Sequence, residues 1–124
     1  SIQDRNDKWR EIEKKYLPHR DNDGNAFLEK GGFWQRQNHI FASPFYYIDY
    51  TLAQVCAFQF WKKDREDHEK AWADYVTLCK EGGARSFLDL VKLANLQSPF
   101  EAGCLSSVMK PISEFLEGID DSQF

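Results

Sequence analysis

The sequence predicts an all-α protein, with about five helices packed around one long apolar helix over residues 44–61. Three observations carry that expectation. Apolar residues recur at spacings of three and four along most of the chain, as one buried helix face requires. No stretch shows the alternation of a half-buried strand, and no segment repeats. Turn-forming residues fall between the periodic stretches rather than inside them.

Trp9, Ile12 and Tyr16 mark a first amphipathic helix that must end before Pro18. DNDGN (21–25) then supplies turn residues, and Gly31-Gly32 breaks the chain again after a short helical piece. Pro44 suits the first turn of the next helix, with Ser43 as its N-cap. That helix is apolar on nearly every face, the pattern of a central buried helix. KKDREDHEK (62–70) balances both signs of charge and is expected as a solvated connection. A helix over about 66–80 follows, buried through Ala71, Trp72, Tyr75, Val76 and Leu78 and stopped by Gly82-Gly83. Ser86 and Asp89 resemble a capping box ahead of a helix containing Phe87, Leu88, Leu90, Val91 and Leu93. A last helix covers about 105–116, with Pro111 expected to kink or restart it.

The length of 124 residues suits a single helical domain over 1–124. The aromatic fraction of 15% argues against disorder. A net charge of −4, with no basic cluster free of acids, argues against a nucleic-acid partner. No apolar stretch is long enough to span a membrane, because Asp49, Thr51, Gln54 and Gln59 interrupt the longest one. Cys56, Cys79 and Cys104 are odd in number and lack a CxxC pair, which points to reduced thiols and a cytoplasmic location. The chain starts at Ser1 with no lead-in to its first helix, as an excised segment of a longer protein would.

Several chemical motifs fail on spacing. After His68-Glu69, Trp72 stands where HExxH needs its second histidine. DNDGN has the first two acids of a calcium loop, but Ala26 replaces the glycine of the sharp turn and Gly32 the bidentate glutamate. There is no P-loop and no GxSxG.

The stretch HIFASPFYYIDY (39–50) remains. On a helix starting near Pro44, Tyr46 and Tyr47 would lie four and three residues from Tyr50, on adjoining parts of one surface. Only Arg36 and Asp49 are charged between Phe33 and Trp61. Buried phenols need partners. Three of them beside His39 form either an internal hydrogen-bond network or a donor array facing a cavity.

FWQRQNHIFASPFYYIDYTLAQVCAFQFW (33–61) resembles the C-terminal signature of oligoendopeptidase F, a zinc metallopeptidase family related to thimet oligopeptidase. KYLPHRDNDGNAFLEKGGFWQRQ (15–37), the segment 75–83 and LQSPF (96–100) extend the resemblance over essentially the whole chain. The family's HExxH and its third zinc ligand are missing. The resemblance therefore implies a C-terminal, mostly helical fragment of an enzyme that hydrolyses short peptides, with zinc bound in the full-length enzyme and not by this fragment. It further implies Tyr50 and Tyr47 as catalytic donors to the developing oxyanion, and His39 and Tyr46 as substrate-binding groups. Gly31-Gly32 would permit close approach of a peptide or simply form a turn. A fragment cut in this way should expose apolar surface and self-associate. The competing expectation is a stand-alone helical binding module that has lost peptidase activity.

Overall fold

A computed structural model describes residues 1–120 and 122. The chain is all-α: seven α-helices and one 3-10 helix, with no strand among the described residues. Its Cα packing divides it into two compact units, Ser1–Ile48 and Asp49–Phe124.

In the first unit, α1 (Ile2–Tyr16) is capped by the Ser1 hydroxyl, which accepts from the Asp4 N–H. The turn after it is built by its own side chains. Asp21 accepts from the Asp23 N–H at 2.9 Å, and Asn25 caps α2 (Ala26–Glu29) by accepting from Phe27 and Leu28. A 3-10 helix (Gly32–Arg36) and α3 (Asn38–Ala42) complete the unit. Gly31 has φ +82°, and a Cβ there would lie 2.2 Å from the Asn6 carbonyl oxygen of α1. Only glycine allows this close approach. It brings Trp34 onto α1, where the indole Nε1 donates to Asn6 Oδ1 at 2.8 Å. Trp9 stacks on Phe33 with centroids 5.8 Å apart, and the Arg20 guanidinium lies 4.2 Å over the other aromatic partner, Phe33. Glu13 is 5% exposed, and its carboxylate is shared by Arg10 and Arg20. A buried carboxylate needs that compensation.

The second unit is organised by α4 (Ile48–Glu66), α5 (His68–Glu81), α6 (Phe87–Leu93) and α7 (Cys104–Glu117). Val91, Ala94 and Leu96 form the buried cluster, packed against by Cys56, Phe60 and Leu78. Gln59, 7% exposed, clamps the α6–α7 connection. Its Nε2 donates to the Gln97 carbonyl at 3.0 Å, and its Oε1 accepts from the Gln97 N–H at 2.8 Å. One turn further along, Lys63 Nζ donates to Asp74 at 2.6 Å and to the carbonyls of Ala94 and Asn95 at 3.1 and 3.2 Å. Asp74 also accepts from the Asn95 amide at 2.8 Å. Donation from Lys63, then from Asn95, holds the Asp74 carboxyl below the usual carboxylate range.

Three local expectations change. The apolar helix begins at Ile48, not at Pro44, because residues 43–47 form a turn: Tyr46 N–H bonds the Ser43 carbonyl and Phe45 has φ +66°. It is not buried all round, since only Val55 and Gln59 are buried within it. The charged stretch 62–70 is helical except at Asp67, which caps α5 by accepting from the Lys70 N–H. Pairs one turn apart favour that outcome, with Lys62–Glu66 at 3.8 Å and Asp64–His68 at 2.6 Å. Finally, α7 runs through Pro111 as one element. Ser86 does cap α6, accepting from the Asp89 N–H and donating its hydroxyl to the Asp89 carboxylate.

Gln59→Ala removes both bonds to Gln97 and leaves a void, so it should cost about 2–3 kcal/mol in urea denaturation. Asp74 sets an acid limb. Its folded pKa is depressed, so its contribution is present above the unfolded value and is lost as pH falls through the folded one. Stability should therefore drop below about pH 4. Asp74→Asn should flatten that part of a pH series of melting temperatures.

Candidate functional site

Ser43 leaves the helical region ahead of Pro44, and Phe45, with φ +66°, then reverses the chain. The reversal carries two of the candidate tyrosines back over α3. The His39 ring lies 5.0 Å from the Tyr47 ring and 6.1 Å from the Tyr46 ring, centroid to centroid, at interplanar angles near 30° (33° and 31°). The first unit thus brings His39, Tyr46 and Tyr47 together through a turn and not through helical spacing. Tyr50 sits in the first turn of α4, in the second unit.

These side chains face solvent more than a buried network would. Tyr46, Tyr47 and Tyr50 are 45%, 48% and 52% exposed, while His39 is half-buried. Their neighbours Phe41 and Ile48 are more than half exposed, and Phe45 is 96% exposed. Ring contacts gather His39, Tyr46 and Tyr47, and the two tyrosines are each about half exposed. A phenol O–H or an imidazole N–H on such a surface can donate to a carbonyl oxygen of a bound chain.

Gly31-Gly32 serves packing. A Cβ at Gly31 would meet the α1 backbone, and one at Gly32 would meet the Phe27 ring at 2.5 Å. Among the described residues, no group of three or more His, Cys, Asp and Glu side chains is placed to hold a metal ion. His68 is an exposed partner of Asp64. Burial, and secondarily Cys104, pushes the Cys56 thiol up, and burial with Glu101 does the same to Cys104. Both thiols are therefore protonated at neutral pH and are poor nucleophiles. No helix among the described residues is long and apolar enough to cross a membrane.

Gln59 was visible in the sequence only as a polar interruption of an apolar run, and Lys63 only as part of a charged stretch. A lone glutamine on an apolar helix face was the available signal for the clamp on LQSPF.

No family model matches the chain, and no curated protein matches it. Solved structures do. PZ peptidase A, solved with an inhibitor, is 58% identical over 96% of this chain, with a TM-score of 0.88. A chain assigned as oligoendopeptidase F is 58% identical over 98%, with a TM-score of 0.89. Over nearly its whole length this chain is similar to PZ peptidase and oligoendopeptidase F chains. A further oligoendopeptidase F assignment, from Bacillus anthracis str. Ames, is 43% identical over 95% of this chain, with a TM-score of 0.64. This chain spans only about a fifth of the length of these relatives: 21%, 22% and 21%.

A bulky side chain in the left-handed region costs on the order of 1 kcal/mol, and the exposed Phe45 ring offers little packing in return. Phe45→Asn should therefore raise the stability of this chain by about 0.5–1 kcal/mol in thermal or urea unfolding.

Proposed function

We propose that the chain is the C-terminal, substrate-facing part of a zinc-dependent oligoendopeptidase that hydrolyses short peptides. The observation that carries this reading is the 58% identity to peptidase chains over nearly the whole segment. The gathering of His39, Tyr46 and Tyr47 at one turn, with both tyrosine rings about half exposed, supports it, because phenols near a surface can reach a bound peptide. In this reading zinc is held by residues outside this segment.

The chain's own contribution is hydrogen bonding. A phenol titrates near ~10, so at neutral pH it keeps its proton and can donate to an oxygen that gains negative charge. Tyr50 and Tyr47 take that role during attack on the scissile carbonyl. His39 and Tyr46 hold the substrate through backbone groups and ring contact. The donors act only where a second wall brings the peptide against them, so the segment alone is inactive. The protein works in the cytoplasm on peptides, with no nucleic-acid or membrane partner.

Tyr50→Phe in the longer enzyme should lower kcat by about 10²-fold with little change in KM, as loss of a transition-state donor does. An unchanged kcat would return Tyr50 to a packing role. The 124-residue chain alone should neither retain zinc after dialysis nor cleave a fluorogenic short peptide, and cleavage by it would overturn the assignment. With its apolar residues at 40–50 open to solvent, the isolated chain should also show concentration-dependent association in sedimentation velocity.

A further inference from the structure

A cleft of the first unit, adjoining the apolar stretch 40–50 through Ile40 and Phe41, has the chemistry of a ligand site of its own. Trp9, Ile12, Trp34, Ile40 and Phe41 wall a cleft of about 450 Å³ between α1, the 3-10 helix and α3. The walls are apolar and partly aromatic. Trp34 and Phe41 lie 5.7 Å apart, and the indole N–H of Trp34 is already committed to Asn6. The walls are thus largely apolar; the Trp34 indole N–H is satisfied, while that of Trp9 is buried and has no hydrogen-bond partner among the described residues.

Its rim is cationic. Arg5 and Lys8, three residues apart on α1, both line the cleft. Lys8 is engaged by Glu11, with both carboxylate oxygens at 2.8 Å. Arg5 is different: among the described residues, no carboxylate pairs with it. Its guanidinium lies 5.7 Å over the Trp34 ring. Contact with an aromatic face restrains a guanidinium while leaving its N–H edge available, and that planar edge matches a carboxylate in bidentate fashion.

We infer that this cleft binds a carboxylate attached to an aromatic or branched apolar body, with Arg5 taking the carboxylate and Trp9, Trp34 and Phe41 taking the body. The carboxyl-terminal residue of a peptide combines those two features. The inference stands on the cleft alone and does not depend on the peptidase assignment. Apolar enclosure without the cation would favour neutral ligands, and the cation without the walls would favour any anion. Only their combination selects.

The test titrates N-acetylphenylalanine, N-acetylphenylalaninamide and acetate separately into the 124-residue chain at low salt. Binding is followed by tryptophan fluorescence and by backbone amide chemical shifts. N-acetylphenylalanine should bind saturably, with shifts centred on α1 and α3. The amide and acetate should each bind at least about tenfold more weakly, the amide for want of the charge-assisted bond and acetate for want of the body. Arg5→Gln, on the exposed face of α1, should reduce acid binding to the level of the amide, and raised salt should weaken the two carboxylates but not the amide. Equal binding of acid and amide would overturn the inference, as would shifts centred elsewhere or no saturable binding at tens of millimolar ligand. The comparison of acid with amide needs no variant, so it decides even if Arg5→Gln perturbs folding.

Discussion

The second unit depends on two polar side chains of α4, Gln59 and Lys63, that reach into the connection between α6 and α7. Gln59 pairs with both backbone groups of Gln97, as a neighbouring strand would pair with one residue of a ladder. Lys63, one turn on, takes the carbonyls at the end of α6, where a helix leaves acceptors without internal partners. The connection between α6 and α7 is irregular, so it cannot satisfy its own backbone. By donating into it, α4 fixes Leu96 in the buried cluster and sets the start of α7 at Cys104. The small core of Val91, Ala94 and Leu96 follows from those bonds as much as from apolar area.

The first unit solves a different problem. After α1 its helices are short and its chain is rich in turns, so register comes from single residues: Asn25 as a cap, Gly31 as a contact, and Pro44 with Phe45 as a reversal. The reversal gives His39, Tyr46 and Tyr47 a common surface. Its strain sits beside the candidate site, as strained backbone commonly does where side chains must be aimed.

The helical class was legible because the period-three-and-four pattern survives in α1, α5 and α7, and no stretch alternates as a strand would. Caps at Ser86 and the stop at Pro18 were legible for the same local reason. The start of α4 was not. Pro44 is compatible with both a first helical turn and a reverse turn, and only the left-handed Phe45, which nothing in an aromatic residue advertises, decides between them. The stretch at 62–70 is largely exposed, as its balanced charge implies, but it is helical on both sides of Asp67, and Lys63 is turned inward to Asp74. Candidate site residues were legible as a group through the unusual density of phenols. Their arrangement was not, since spacing along a helix placed Tyr46 and Tyr47 with Tyr50 while the turn instead folds them onto His39.

Gly24 and Gly31 look interchangeable in the sequence, and both have positive φ, at +70° and +82°. Their surroundings differ. A Cβ at Gly24 would meet nothing within 4 Å, whereas one at Gly31 would overlap the α1 backbone. Asparagine tolerates the left-handed conformation but still carries a Cβ. In natural variation or a saturation library, position 24 is therefore free to drift among glycine, asparagine and aspartate, while position 31 is held at glycine. The first position records only a backbone angle; the second records how closely two pieces of chain must touch.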